Sequence, residues 1–310
     1  MGETAEQGTS GSAPAGYEAA RAGAAFFPLA SRGILEVKGP DRAKFLQAML
    51  SNDVAGLSPG DSRLCALLNV KGQIQALLRV YATPQALWLE APRDLLGGIE
   101  ATLQHYRVAA PVRFEARPTR VTAVLGPRAG DVLQDRPEPR TAATDLPAGG
   151  LVVYSSPEEE PELAAALAAA GAVPLDQPAL DALRVEEGRA WFGIDVGEES
   201  LLHETGLLAE YASLTKGCYL GQEVVARLEG RGAHVNRALR GLRLDAPAAA
   251  GTLLTAEGSE VGRITTAAVS PAQGPIAMAL VRRSHFEPGT VLDAAGTRAT
   301  VSALPMIPRG

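Results

Sequence analysis

Residues 215–232 read TKGCYLGQEVVARLEGRG and gather a lysine, a cysteine, a tyrosine and several charged side chains into one short span. Lys216 stands two residues before Cys218, where a neighbouring ammonium favours the thiolate, the form in which cysteine acts as nucleophile or metal ligand. Gly217 and Gly221 let the backbone turn or approach a ligand closely, so Cys218 and Tyr219 are presented between them at a fixed angle. Gln222 and Glu223 add a neutral amide beside a carboxylate. Residues 224–228 read as a strand that carries Arg227. The competing reading of Cys218 is a small buried hydrophobe in a turn. Cys65, set among Leu64, Ala66, Leu67 and Leu68, reads as core.

A second candidate lies upstream, in residues 183–188 (LRVEEG). Both oxygens of a carboxylate accept hydrogen bonds, so Glu186 suits the N–H and NH₂ edge of a heterocycle, with Arg184 placed to orient it. The alternative is a solvated ion pair at a helix end, which contributes little. His203 and Glu204 are adjacent and would face opposite ways in a strand. With Cys218 and His234 they match no compact metal-ligand spacing, and two cysteines cannot supply four thiolates to an iron–sulfur cluster. No Walker loop, no Gly-x-Gly-x-x-Gly opening a βαβ unit and no Gly-x-Ser-x-Gly elbow occurs. Nucleotide hydrolysis, dinucleotide redox chemistry and serine hydrolysis therefore lose their sequence support.

Composition narrows the class further. The chain has 310 residues, 46% of them hydrophobic and 21% charged, which is a globular composition of two to three domains. Two distant cysteines make no disulfide framework and suit a reducing compartment, and no apolar run approaches a membrane span. Residues 1–25 lack a basic start and an apolar stretch, so they read as a disordered tail on a cytoplasmic protein and not as a secretory signal. The net charge of −6 argues against non-specific nucleic-acid binding by the whole molecule. Between residues 216 and 243, however, Lys216, Arg227, Arg231, Arg237, Arg240 and Arg243 face only Glu223 and Glu229. Such a patch suits a carboxylate-bearing cofactor, a segment of RNA or an acidic partner.

The elements that must position these residues alternate between types. A strand at 34–37 is followed by a helix whose Phe45/Met49 and Leu46/Leu50 pairs share one face. Strands follow at 65–69, 74–81 and 87–90, then a helix bearing Leu95, Ile99 and Leu103. Strands at 108–115, 120–125 and 151–154 precede an alanine-rich helix at 161–170, and a short helix spans 178–187. From residue 235 onward only short apolar segments separated by turns appear, which predicts a small all-β domain, a barrel. The expected class is α+β, with helices packed on one side of mainly antiparallel sheets.

Residues 216–223 (KGCYLGQE), with Arg227 and residues 231–232 behind them, resemble the signature of the YgfZ family. These are folate-binding relatives of the glycine-cleavage T-protein, or aminomethyltransferase, involved in iron–sulfur cluster maintenance. Residues 183–188, 203–207 (HETGL) and 50–54 (LSNDV) resemble further landmarks of that superfamily, and the likeness runs over residues 27–304. The resemblance implies a three-domain cloverleaf around a central channel that holds tetrahydrofolate or a one-carbon derivative. Its units would be 26–66 plus 176–232, 67–175, and a C-terminal β-barrel at 233–310. It implies that Glu186 meets the pterin, supported by Arg184. Lys216, Cys218, Tyr219, Gln222 and Arg227 would line the channel mouth, with Lys216 and Cys218 the candidates for chemistry. In true aminomethyltransferases an essential aspartate precedes the strand corresponding to residues 77–80, and here the matching position reads Gln75. An amide cannot take up a proton as a carboxylate does. The implied role is a folate-dependent factor for iron–sulfur assembly or client proteins, without a membrane association. The alternatives are a folate-dependent methyl- or aminomethyltransferase, or a module that touches RNA or an acidic partner beside a vestigial pocket.

Overall fold

The computed structural model describes residues 14–134, 139–142, 145–232 and 234–307. The expected tail therefore divides. Its first thirteen residues lie outside the described ones, whereas helix α1 (Tyr17–Ala22) and strand β1 (Ala25–Pro28) are built into the fold. Tyr17 is buried, because its ring packs in the core and its hydroxyl donates to Glu186 at 2.7 Å. Composition rich in small residues hid a short helix anchored by one aromatic side chain.

The chain continues with β2 (Arg32–Lys38), α2 (Arg42–Met49), β3 (Ser62–Leu68), β4 (Ile74–Ala82) and β5 (Ala86–Pro92). Helix α3 (Leu96–Tyr106) and strand β6 (Arg113–Arg117) complete this part. These strands form a sheet in the order β3-β4-β5-β2-β6, antiparallel where registers are defined. On one face Leu35, Val37, Leu78, Val80 and Leu89 pack against Phe45 and Leu46 of α2 and Ile99 and Leu103 of α3.

Next come β7 (Arg120–Leu125), β8 (Arg140–Ala142), β9 (Gly150–Ser155), α4 (Glu160–Ala169) and β10 (Val173–Pro174). They join β1 in a second sheet of order β10-β1-β7-β9-β8. The sheets therefore partition the chain differently from the expected units. A boundary between residues 66 and 67 cuts through β3, and β1 pairs with β7 about a hundred residues later instead of with its neighbour β2. The cause is non-local pairing: the chain changes sheets within Leu29–Arg32, where the Leu29 amide donates to Val121 O at 2.8 Å.

Helix α5 (Gln177–Glu187) joins the parts. Asp176 caps it, its carboxylate accepting from the Ala179 amide at 2.8 Å. Gly188 ends it at φ 67°, a left-handed position where a β-carbon would also lie 2.8 Å from Leu304. Ala179, Leu180, Ala182 and Leu183 enter the core of the second sheet, while Val185 packs with residues of the barrel and of the first sheet. Helices α6 (Leu202–Thr205), α7 (Leu208–Tyr211) and α8 (Gln222–Gly230) follow. The strand expected at 224–228 is helix α8. Paired valines suggested extended backbone, but Val225 turns into the core and Val224 packs onto Gly72, whose β-carbon position lies 2.7 Å from the valine's own. His203 and Glu204 likewise sit on a helical turn and not a strand.

Strands β11 (Arg237–Leu244), β12 (Leu253–Ala256), β13 (Ser259–Ser270), β14 (Gly274–Arg282), β15 (Val291–Ala294) and β16 (Thr297–Ser302) close into a barrel. Alternating Leu242, Leu254, Ile264, Ala279, Leu292 and Val301 fill its interior. The architecture is α+β with a C-terminal closed β-barrel, as the sequence led one to expect. No helix among the described residues is long and apolar enough to cross a membrane.

Candidate functional site

The motif lysine is held by backbone. Lys216 Nζ donates to the carbonyls of Gln47, Leu50 and Asn52 at 2.7, 2.6 and 2.8 Å, where α2 ends. An ammonium at a helix C-terminus satisfies orphan carbonyls and meets the negative end of the helix dipole. Burial still lowers its pKa to about 8, against the weaker opposing pull of Cys65 and Asp53. The ammonium also lies 5.2 Å from the ring centroid of Tyr219, which is buried. Burial raises the pKa of the Tyr219 phenol, and its oxygen has no hydrogen-bond partner among the described residues. Cys218 is exposed on the intervening loop, whereas Cys65 is fully buried and its thiol is pushed up to about 12 by desolvation. Gln222 opens α8 and is half-buried, and Arg227 is exposed on the same helix.

Arg184 and Glu186 do not touch, because residues two apart on a helix point in different directions. Arg184 is bound to Asp195 in a short buried ion pair and to Asp181 at 2.8 Å, and its guanidinium lies 4.0 Å from the Trp191 ring centroid. Asp195 also accepts from the Trp191 amide at 2.8 Å and from the hydroxyls of Thr265 and Thr266. Glu186 is fully buried and fully engaged. It accepts from Tyr17 and, in a short hydrogen bond, from Ser270, and it pairs with Arg21 at 3.4 Å. Its backbone carbonyl takes the Met306 amide at 2.7 Å. This glutamate fastens α1, α5, the barrel and the chain's end to one another. It therefore does not present the open acceptor edge that its sequence position suggested.

Two cavities flank the segments 145–149, 189–194 and 209–211. The larger, about 840 Å³, is a cleft walled by Arg21, Asn52, Arg63, Glu187, Arg189 and Glu210. Arg189 is buried; its Nη1 pairs with Glu210 at 2.9 Å, and its Nε, which makes no hydrogen bond among the described residues, pairs with Glu187 at 3.9 Å. The smaller cavity, about 230 Å³, has Leu77, Trp191, Phe192 and Tyr211 as apolar walls, with Arg32 and Asp145 as polar ones. Asp145 pairs closely with buried Arg79, and Arg32 pairs closely with Glu90, which also accepts from Tyr154 at 2.8 Å. Neither cavity is lined by Glu186, Lys216 or Cys218. Sequence reasoning missed this wall set, since Arg32, Leu77, Asp145 and Trp191 come from four separate segments with no shared motif. The signal available was the arginine at position 79 inside an otherwise apolar strand, which demands a buried acid.

A family model of the GCVT N-terminal domain matches residues 5–151, and one of the glycine cleavage T-protein C-terminal barrel domain matches residues 237–307. An aminomethyltransferase from Saccharopolyspora erythraea is 30% identical over 333 residues, spanning 94% of this chain and 89% of the relative. The chain belongs to the glycine-cleavage T-protein family. The crystal structure of glycine cleavage system aminomethyltransferase T from Bartonella henselae matches at a TM-score of 0.83 and 24% identity, over 94% of this chain and 89% of that one, and so shares the fold. A relative named tRNA-modifying protein YgfZ, from Yersinia pestis, is 28% identical over 218 residues, or 65% of this chain and 66% of the relative.

Within this family's fold, Gln75 takes an unexpected position. The pairing of β3 with β4 shifts between Leu67 and Leu68, so Gln75 is the bulged residue opposite no partner. It faces a shallow groove with Ala101, Thr102 and His105 near α3, away from both cavities. The residue that β4 offers to the aromatic cavity is Leu77.

Proposed function

We propose that the chain is a folate-binding accessory factor for iron–sulfur cluster assembly or repair in the cytoplasm, acting without aminomethyl transfer. The observation that carries this reading is Leu77: strand β4 turns a hydrocarbon, and not a carboxylate, toward the aromatic cavity. A leucine neither accepts a proton nor offsets positive charge on a nitrogen of the ligand.

The cavities fit tetrahydrofolate or a one-carbon derivative by their chemistry. Trp191, Phe192 and Tyr211 supply flat apolar walls for a fused ring, and Asp145 supplies the acceptor for its N–H edge, in place of Glu186. Arg21, Arg63 and Arg189 on the cleft wall suit the carboxylates of the tail, and the cleft's volume lies within the usual range for small-molecule sites. Arg184 acts as a positioning residue, holding the Trp191 ring by stacking on it. A bound folate would supply a one-carbon carrier, while this chain's residues bind and orient it. Cys218 is then the accessible thiol that meets a client protein.

Calorimetric titration with tetrahydrofolate tests the pocket. The wild type binds, and Asp145→Asn and Trp191→Ala each weaken binding about tenfold or more, the loss of one charge-assisted hydrogen bond or one ring contact. Unchanged affinity in both variants places the ligand elsewhere. For the accessory role, Cys218→Ser is introduced into cells lacking the wild-type protein. Cluster-enzyme activities fall although the purified variant still binds folate; normal activities would remove the thiol from the function.

A further inference from the structure

Residues 189–194 serve both cavities: Arg189 walls the cleft, and residues 190–194 wall the aromatic cavity. A loop with that task needs an anchor, and Asp195 supplies one at its end. The carboxylate is buried, and the roughly four positions at which its two oxygens can accept are all taken. Oδ2 accepts from Arg184 in the short ion pair and from the Trp191 amide at 2.8 Å. Oδ1 accepts from Thr265 Oγ1 at 2.9 Å and from Thr266 Oγ1 at 2.6 Å. The loop also closes on itself, since the Asp195 amide donates to Trp191 O at 2.9 Å. Trp191 is thus held by its backbone on Asp195, by its ring against the Arg184 guanidinium, and through the carboxylate on the barrel.

The two threonines are adjacent on β13, and neighbours in a regular strand point to opposite faces. Their hydroxyls reach one oxygen because the pairing of β13 with β14 shifts between Ile264 and Thr266, which leaves Thr265 opposite no partner. A bulge of this kind re-aims a side chain. The Thr265 hydroxyl also lies 3.2 Å from Met278 O, and its single proton serves one acceptor at a time. Thr266, buried and closer to Asp195, is therefore the firmer donor of the two.

We infer that Thr265 and Thr266 are positioning residues, through which the barrel sets the place of Trp191 and so the shape of the aromatic cavity. No described residue of the barrel lines either cavity, so its part in binding is exerted through Asp195. Without the hydroxyls two acceptor positions of a buried carboxylate are left open, and a carboxylate in that state turns toward other donors, taking the Trp191 amide with it. The inference rests on the folate reading for the identity of the ligand, and on the hydrogen bonds alone for the anchor.

The chain has two tryptophans, Trp88 and Trp191, so protein labelled with 5-fluorotryptophan gives two fluorine resonances, which Trp191→Phe assigns. The double variant Thr265→Val/Thr266→Val keeps the branched shape and removes both hydroxyls. It shifts or broadens the Trp191 resonance, whereas Trp88, whose indole donates to Glu36 at 3.0 Å, keeps its own. Tetrahydrofolate binding, measured below the melting range, weakens about threefold or more. Thr265→Ser/Thr266→Ser retains the donors and restores both readouts, which a loss of packing alone would not do. Thr266→Val by itself serves if the double variant fails to fold. A folded Val variant with an unmoved Trp191 resonance overturns the inference. So does a moved resonance with unchanged tetrahydrofolate affinity where Trp191→Ala lowers it. If the wild type does not bind tetrahydrofolate, the folate reading fails by itself, and the Trp191 resonance still decides the anchor.

Discussion

The motif lysine is the sharpest place to separate structure from chemistry. Lys216→Met keeps the aliphatic stem and deletes the ammonium, leaving the carbonyls of Gln47, Leu50 and Asn52 without their shared donor. The side chain is half-buried, so water reaches those oxygens only in part, and each lost charge-assisted hydrogen bond costs about 1–1.5 kcal/mol net. Three bonds, with the lost interaction at the end of α2, give about 3–5 kcal/mol of destabilisation. For a chain of 310 residues that lowers the unfolding midpoint by about 5–8 °C. The measurement is thermal and urea unfolding of both proteins, with tetrahydrofolate titration beside it. Stability falls while folate affinity below the melting range is kept. A midpoint within about 2 °C of wild type, together with lost activity in cells, would refute the structural assignment and return Lys216 to chemistry. The pH dependence gives a second check. Burial lowers the ammonium to about 8, below its value in the unfolded chain, so between these two values the unfolded state holds the extra proton. The contribution of this group to stability therefore rises with pH above about 8, and the gap between wild type and Lys216→Met widens across that window.

Two other sites carry clear expectations. Asp195→Asn breaks the buried pair with Arg184 and is expected to cost about 3–5 kcal/mol by urea unfolding, because a guanidinium is left buried without its counter-charge; a loss below 1 kcal/mol would mean that Asp181 alone suffices. Gly72→Ala places a methyl 2.7 Å from Val224 at a position with φ 73°, and is expected to lower stability by at least about 1 kcal/mol and to raise hydrogen exchange in α8. Unaltered exchange there would show that α8 does not depend on that contact.

Much of the fold was legible without coordinates. The alternation of apolar residues in 35–37 and 78–80, the paired faces of α2 and the turn-separated segments after residue 235 depend on local periodicity, which the chain writes directly. The short helix expected at 178–187 is likewise α5, and the structure adds the Asp176 cap at its start. Chemical candidates were also visible by type: an exposed cysteine beside a lysine, and acids near residue 186.

Partnership, by contrast, is a property of what lies opposite. Glu186 looked like a ligand acceptor until Tyr17 and Arg21 of α1 and Ser270 of the barrel arrived from two distant parts of the chain to occupy it. Lys216 looked catalytic until the end of α2 supplied three carbonyls. Val224 and Val225 suggested a strand because side-chain branching favours extended backbone only weakly, and packing against Gly72 and the core outweighed it. Gln75 took its place through a one-residue slip in pairing, which no single-strand pattern records. The sequence by itself determined most of the helices and strands and the C-terminal barrel, because those choices rest mainly on neighbours along the chain. Only the tertiary structure decided which charged groups are spent on one another and which remain open to a ligand, because that depends on contacts made across more than a hundred residues.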